Sequence, residues 1–407
     1  MGPRMARRPT PRRRWAGRGH TPRGHMDLGF LRPLYESDAP VASVHLDTSR
    51  DRTDAGKELE LRWRHLRDEL SSLGTDKATL DVLEQAVRDG SSRAFGSHGH
   101  SLFASEGRLL GAYTLSEPPA QSRALRMPVP DPLPVVVDRG RYLPYVLVAL
   151  DRVNAKVFSY TGQPSSGPAS EKDFSGADLR NIDPMGRGGP GVLSGYNGRF
   201  DGKHYPMETW RENTARIAQQ VREAVAEVDA KVIFVGGDEE AIAYLRDNLG
   251  ERKLSIPIRL VPGGRGGPDA EERLHEAAAE ALRDFVIDGH DDIIADYHQK
   301  LANDQAVRGT EPTLPMLSEA RVRTLLLGAD RDGEPELWGS PGEPVLVSKD
   351  PADLDDPDSA FRAPASALML RSAMAADAGF GEVLDHGHTS AENGAILRFP
   401  TSPNERV

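Results

Sequence analysis

The run Gly186-Arg187-Gly188-Gly189-Pro190-Gly191 matches the pattern G-x-G-x-x-G, which in some proteins binds the pyrophosphate of a dinucleotide. That chemistry requires a strand directly before the glycines and a helix directly after them, so that the phosphates meet the helix N-terminus. Here the segment 181–184 is polar and contains a proline, and the next helical pattern begins near Met207. We therefore interpret the run as a glycine-rich loop and predict no nucleotide cofactor.

Two aspartates beside apolar runs, Asp138 and Asp151, could serve a nuclease that works through two metal ions. Such a site needs three or four converging carboxylates. The sequence offers no third acidic partner on a neighbouring strand, and Asp151 suits a turn between two strands. We interpret both residues as structural.

A second acidic run, Asp288-Gly289-His290-Asp291-Asp292, is followed by Asp296 and His298. The two histidines are eight positions apart, which separates them by more than two turns of a helix. A solvated helix explains the pattern better than a metal site. The pair in His386-Gly387-His388 lacks a third ligand and is interpreted as a turn, so the sequence predicts no metal centre.

Common hydrolase signatures are absent from the sequence. It contains no Gly-x-Ser-x-Gly elbow, no phosphate-binding Walker loop and no His-Glu-x-x-His motif. It also contains no cysteine, which excludes a cysteine nucleophile and thiolate ligands and fits a reducing cytosol.

The elements that would position the glycine loop lie on both sides of it. Apolar runs at 145–150 and 155–160, joined by a polar turn, predict a β-hairpin. After the loop, apolar residues at helical spacing predict an amphipathic helix, and they are Trp210, Ile217, Val221, Val225 and Val228. A strand at 232–235, a Gly236-Gly237 turn, a helix at 238–249 and a strand at 258–261 complete an α/β scaffold. The scaffold presents a long loop at 162–206, and loops of that length in a compact domain are usually functional or disordered.

A chain of 407 residues predicts two or three domains. We divide it into a disordered Arg-rich extension (1–25), an N-terminal α/β domain (26–130), a central domain (131–262) and a C-terminal α/β/α domain (269–400). A proline-rich linker is expected at 118–134, and a flexible Gly-rich linker at 262–268.

Charge is distributed unevenly along the chain. The net charge is −11, but residues 1–25 contribute eight arginines and no acid, so the remainder carries −19. The basic extension could be a nucleic-acid-binding arm. We favour a disordered extension that is translated only if the start codon lies before Met26. No apolar run approaches the ~20 residues that a membrane span needs.

Several short signatures, taken in order, resemble a known family. They are the opening 26–48, the hairpin Tyr145 to Tyr160, the helix with Trp210, the turn Phe234-Val235-Gly236-Gly237 and the closing run 394–399. Together they resemble the bacterial branch of the archaeo-eukaryotic peptide-chain release-factor family, in particular actinobacterial relatives of the ribosome-hibernation factor Balon. The resemblance implies a central RNase-H-like domain without nuclease acids and a C-terminal ribosomal-protein-like α/β/α domain.

In true release factors of that family, the central loop carries Gly-Gly-Gln into the peptidyl-transferase centre. In this sequence Gly188-Gly189 is followed by Pro190. Proline has neither a backbone N–H nor a side-chain amide, so it cannot replace the glutamine. The Asn-Ile-Lys-Ser element that reads stop codons is absent as well. The resemblance therefore implies neither codon reading nor peptide release.

The resemblance implies a cytoplasmic, ribosome-binding translation-factor homologue that occupies the A site in hibernation or stress. The implied partners are the ribosome and elongation factor Tu, with no membrane and a monomeric state off the ribosome. The residues expected to contact ribosomal RNA are Arg187, Gly188, Gly189, Gly191, Arg199 and Lys203.

Two other functions stay open at this point. The first is a peptidyl-tRNA or tRNA-end hydrolase that uses another residue of the same loop. The second is a stress-linked scaffold that binds a protein partner through its acidic surface, since a body with a charge of −19 is unusual for a ligand of RNA phosphates.

Overall fold

The computed structural model describes residues 25–50, 54–91, 97–151, 154–162, 167–174, 205–250, 256–383 and 393–400. Within these ranges the chain forms four β-sheets connected by α-helices. None of the helices there combines the length and the apolar composition that a membrane span requires. The α/β fold class expected from the sequence is confirmed.

The first part of the chain forms an antiparallel sheet with strand order β4-β3-β2-β5. Its elements are β1 (Met26–Asp27), a 3-10 helix (Gly29–Tyr35), β2 (Val41–Asp47), α1 (Ala55–Ser72), α2 (Lys77–Ser91), β3 (Gly99–Ser105), β4 (Arg108–Leu115), β5 (Arg123–Met127) and α3 (Leu133–Arg141). The apolar face of α1, with Leu59, Trp63 and Leu66, packs on one side of this sheet.

The proline-rich stretch at 118–134 is not a linker, and that expectation was wrong. β5 pairs with β2 along five residues. Pro134 lies in the first turn of α3, where a missing backbone N–H leaves no hydrogen bond unmade. Asp138 is consequently a helical residue of α3 and does not lie beside the central sheet.

The first residues of the described chain pack against its last third. β1 pairs with the strand at Gly379–Glu382, and the 3-10 helix buries Leu31 and Leu34 in a core that also contains Leu368 and Phe380. The N-terminal and C-terminal segments therefore share one hydrophobic core.

The central sheet has the strand order β10-β9-β6-β7-β8. Its elements are β6 (Tyr145–Leu150), β7 (Ala155–Tyr160), β8 (Ser170–Phe174), α4 (Tyr205–Val228), β9 (Val232–Gly237), α5 (Glu239–Leu249), β10 (Ile258–Leu260) and α6 (Pro268–Leu301). β6, β7 and β8 are antiparallel, whereas β9 and β10 run parallel to β6. An antiparallel meander followed by two parallel strands with intervening helices is the arrangement expected of the RNase-H-like domain.

The structure corrects the expected loop at 162–206, because its first part contains the edge strand β8. The segment Ser170–Phe174 pairs with β7 through five residues. Its sequence, SEKDF, lacks the alternating apolar residues that mark a half-buried strand. Hydrophobic patterning therefore does not predict β8.

The structure also corrects the expected linker at 262–268 and the boundary at 269. α6 begins at Pro268, and its first half buries Leu274 and Leu282 against the central sheet. Its second half buries Ile293 and Tyr297 in another cluster, against the C-terminal sheet. One continuous helix thus belongs to two cores, and the Gly-rich turn before it is packed.

The C-terminal part contains a five-stranded sheet with order β1-β16-β12-β17-β11 and a small sheet with order β14-β13-β15. Its elements are β11 (Ala306–Arg308), α7 (Thr310–Ser318), β12 (Val322–Leu327), β13 (Glu336–Gly339), β14 (Val347–Ser348), β15 (Phe361–Pro364), α8 (Ala365–Ala375), β16 (Gly379–Glu382) and β17 (Gly394–Leu397). Leu325 packs with α7 and α8, whereas Leu326 faces α6 on the opposite side. This is the α/β/α layering expected from the resemblance.

A buried carboxylate, Asp131, connects the N-terminal sheet to the C-terminal part. Asp131 is 0% exposed and accepts hydrogen bonds from Arg123 at 2.9 Å and from Arg331 at 2.7 and 2.8 Å. Burial alone would raise the pKa of Asp131, but the contact with His45 and the two arginines hold that pKa well below its usual range.

We expect Asp131→Asn to lower the free energy of unfolding by about 3 kcal/mol, because it removes the counter-charge that pairs with Arg123 and one of the two carboxylates that pair with Arg331, both of them partly buried arginines. Chemical denaturation of the full chain measures this. Arg32→Ala is the control, since it removes an ion pair with Asp377 that is exposed on both sides and should cost less than about 1 kcal/mol. Equal losses in the two variants would contradict the structural role of Asp131.

A second carboxylate, Asp138 on α3, is half-buried, and its hydrogen bonds are with Ser116. It accepts hydrogen bonds from the backbone N–H of Ser116 at 2.7 Å and from the Ser116 hydroxyl at 3.4 Å. Burial raises the pKa of Asp138 to about 7. Between about pH 4 and pH 7, Asp138 is therefore protonated in the folded state and ionised in the unfolded state. Because the folded state binds the extra proton, the free energy of unfolding falls as pH rises through this range.

Asp138→Asn should stabilise the protein at pH 8, by on the order of 2 kcal/mol, and by less than half as much at pH 5, which is closer to the ordinary pKa of an aspartate. The amide oxygen still accepts the Ser116 N–H but carries no charge to bury. Thermal unfolding of both proteins at the two pH values measures the difference. A melting-temperature difference that is the same at pH 5 and pH 8 would contradict the assignment.

Candidate functional site

The residues predicted to contact the ribosome lie in 175–204, outside the described residues. They are Arg187, Gly188, Gly189, Gly191, Arg199 and Lys203. Their role stays a prediction. The structure does describe the two elements from which the chain enters and leaves this segment.

The entry and exit elements are held differently by the central domain. β8, which ends at Phe174, is an edge strand hydrogen-bonded only to β7 among the described strands. The exit helix α4 buries Ile217, Ala218 and Val221 against the sheet. The exit is therefore fixed by hydrophobic packing along a long helix, whereas the entry depends on one strand pairing and on polar contacts.

The carboxyl ends of the parallel strands β6 and β9 carry Asp151 and Asp238. Leu150 and Gly237 are paired neighbours, so these aspartates start from the same edge of the sheet. Asp151 accepts the backbone N–H of Asn154 at 2.6 Å and closes the β6–β7 turn. Asp238 caps α5, because its carboxylate accepts two backbone N–H groups of the first turn. Both carboxylates thus have structural partners.

The other candidate metal ligands lie on different elements or already form contacts with protein groups. Asp138 lies on α3, so it does not join Asp151 in a metal site. Asp296 on α6 forms salt bridges with Arg323 and Lys300, and His290 is buried in the same helix. His386 and His388 lie outside the described residues. In the described ranges, no group of three or more histidine or acidic side chains is arranged to hold a metal ion.

Sequence inspection missed a buried chain of Ser101, His45 and Asp131. The Ser101 hydroxyl lies 2.9 Å from His45 Nδ1, and His45 Nε2 lies 3.4 Å from Asp131. This is the connectivity of a nucleophilic triad. All three residues are fully buried, and Asp131 also bonds the arginines described above. The chain is therefore a structural network that no substrate can reach. No motif could have indicated it, since its members are widely spaced in sequence.

An open groove of about 540 Å³ lies beside the start of α6, lined by Lys156, Arg265, Glu271, Glu272, His275 and the backbone of 267–268. Lys156 Nζ lies 2.9–3.0 Å from the Glu271 carboxylate, and this hydrogen bond raises the pKa of Lys156. Burial lowers the pKa of His275, whose Nδ1 lies 2.9 Å from the Tyr160 hydroxyl. The charges in the groove neutralise one another, so it has no excess of positive charge for a phosphate.

Comparison with protein families identifies the central part of the chain. Residues 144–303 match the family model described as bacterial archaeo-eukaryotic release factor family 2. The matched range runs from β6 to the end of α6, which is the central sheet together with the whole bridging helix. The resemblance to the bacterial branch of the release-factor family is confirmed for this region, and the finer relation to Balon stays a prediction.

A relative in Mycobacterium tuberculosis is known from two strains under the names uncharacterized protein Rv2629 and uncharacterized protein MT2704. Each is 30% identical to this chain over 254 residues. The alignment covers 62% of this chain and 65% of the relative, slightly under two thirds of the relative's length.

Solved structures of similar fold include S. cerevisiae Dom34, a translation termination-like factor that interacts with Hbs1, at 10% identity and a TM-score of 0.42. The match covers 76% of this chain and 82% of Dom34. Archaeoglobus fulgidus Pelota matches at 13% identity and a TM-score of 0.27, covering 74% of this chain and 79% of Pelota.

Proposed function

We propose that this chain is a ribosome-binding homologue of translation factors that occupies the A site during hibernation or stress. In this proposal it acts in the cytoplasm, reads no stop codon and releases no peptide. The observation that carries the proposal is the match of residues 144–303 to the bacterial release-factor family. The segment 175–204 interrupts that domain at the position where the resembled family projects its loop.

The length and composition of that segment support the proposal. It has 30 residues, eight of them glycine. A chain of this length that extends and returns can reach at most about 50 Å from its base. Glycine allows the backbone to approach RNA closely, and backbone N–H groups can bind phosphate without a net positive charge. These properties reduce the conflict between a body with a charge of −19 and an RNA partner.

The tip sequence argues against hydrolysis. Pro190 stands where glutamine follows the two glycines in true release factors. The buried Ser101–His45–Asp131 chain cannot compensate, because all three side chains are fully buried. We therefore propose occupation of the peptidyl-transferase region without chemistry there.

The C-terminal part is the proposed contact for a partner factor, with elongation factor Tu as the candidate that the resemblance implies. Its five-stranded sheet shares a core with the N-terminal segment, so both would approach the ribosome as one body. We propose that the protein is monomeric when it is not bound to the ribosome.

Replacing Arg187, Arg199 and Lys203 together by alanine should weaken binding to purified ribosomes about tenfold or more and make the salt dependence shallower, because phosphate contacts are lost. The matched control is Arg64, Lys77 and Arg126 changed to alanine. These three exposed cations of the N-terminal part give the same change in charge. Binding titrations at several salt concentrations measure both effects. An equal loss in the two triple variants would contradict a specific role for 175–204.

The wild-type protein should release no peptide from ribosomes that carry peptidyl-tRNA in the P site, because the loop lacks the glutamine amide. A bacterial release factor acting on stop-codon complexes is the positive control. Peptide release by the wild-type protein above the rate of spontaneous hydrolysis would contradict the proposal and favour the hydrolase alternative.

A further inference from the structure

We infer that Arg265 is a positioning residue that holds β8 on the edge of the central sheet. β8 is the strand from which the chain enters 175–204, so this inference deepens the proposed function and its consequence for ribosome binding rests on it. The attachment of β8 itself can be tested without the ribosome. Arg265 lies in the Gly-rich turn that precedes α6.

The Arg265 guanidinium joins two separate elements of the sheet. Its Nη1 donates a hydrogen bond to Asp173 on β8 at 2.7 Å, and its Nε lies 3.4 Å from Asp151 in the β6–β7 turn. The side chain is only 19% exposed. A partly buried guanidinium that contacts two carboxylates is better shielded from solvent and salt than an exposed ion pair.

β8 has few other attachments in the described part of the chain. None of its five side chains is fully buried, and Phe174 packs only partly against the core of the central domain. Its other ion pairs are longer, because Lys156 lies 3.5 Å from Glu171 and Lys172 lies 3.5 Å from Glu227. The contact between Arg265 and Asp173 is thus the shortest ion pair described for this strand.

Glycine packing determines where Arg265 is placed. A Cβ on Gly237 would lie 1.7 Å from the Leu150 carbonyl oxygen, and a Cβ on Gly264 would lie 2.9 Å from the Gly237 Cα. Both glycines have positive φ, +137° and +157°. The turn before α6 therefore lies directly against the ends of β6 and β9, where only glycines fit, and the next residue, Arg265, is directed at Asp151 and Asp173.

Two glycine motifs that play no part in the proposed function position Arg265. The Gly236-Gly237 turn at the end of β9 and the Gly-rich turn at 262–268 pack together at the carboxyl edge of the sheet. Side chains larger than hydrogen there would move Arg265 away from both carboxylates. A purely structural role would stabilise the whole domain, whereas a positioning role affects β8 selectively.

Hydrogen exchange of the full-length protein tests the inference through the peptide that covers 170–174. In Arg265→Ala we expect exchange in β8 to accelerate about tenfold or more, with exchange in β6 and β9 unchanged, because the lost contact involves charged groups. Arg265→Lys keeps the charge but cannot contact both carboxylates as a planar fork does, so it should give an intermediate rate.

The matched control is Arg259→Ala. Arg259 lies on β10, at the opposite edge of the same sheet, and pairs with Asp288 at 3.8 Å. This control should leave β8 exchange at the wild-type rate. An unchanged β8 rate in Arg265→Ala, or an equal acceleration in all five strands, would overturn the inference.

Ribosome binding separates this inference from the proposed function. If wild-type protein binds ribosomes, Arg265→Ala should bind several-fold more weakly, and unchanged binding would overturn the positioning role of Arg265. If wild-type protein does not bind, the proposed function fails, and the exchange rates still decide whether Arg265 holds β8.

Discussion

The rest of the structure depends on α6, a single helix that is buried in two places. Leu274 and Leu282 pack on the central sheet, and Ile293 and Tyr297 pack on the C-terminal side. Because the helix is continuous through 34 residues, it sets the distance and direction between the two parts. The family match ends at residue 303, just after α6, so the matched region includes the whole helix although its second half packs on the C-terminal sheet.

Hydrophobic patterning predicted the hairpin and the helix on either side of the loop and missed β8 and α3. The β6–β7 hairpin and α4 have apolar residues at a strand or helical period, and both are present in the structure. β8 was missed because its three middle residues, Glu171, Lys172 and Asp173, are all charged, and α3 was missed because the prolines at and before its start suggested a break. The glycines at 262–268 indicated flexibility. In the structure, Gly263 and Gly264 instead pack closely against neighbouring backbone, where a Cβ would not fit.

The partners in the polar interactions could not be predicted from the sequence, for a different reason. Asp131 meets His45 and Arg331, which are separated from it by 86 and 200 positions, and nothing in the local sequence marks them as partners. The predicted ribosome contacts came from a family resemblance, and only the elements at the two ends of 175–204 are described. Fold and family were therefore predictable, whereas the contacts that fix the loop entry were not.

Residue 189, in the predicted loop tip, offers the most direct test of A-site occupation. The chain contains no cysteine, so Gly189→Cys provides a unique attachment point for an iron chelate that cleaves nearby RNA. We predict that cleavage in the bound complex is confined to large-subunit RNA around the peptidyl-transferase centre. Ribosome binding with cleavage elsewhere, or with no cleavage, would contradict it.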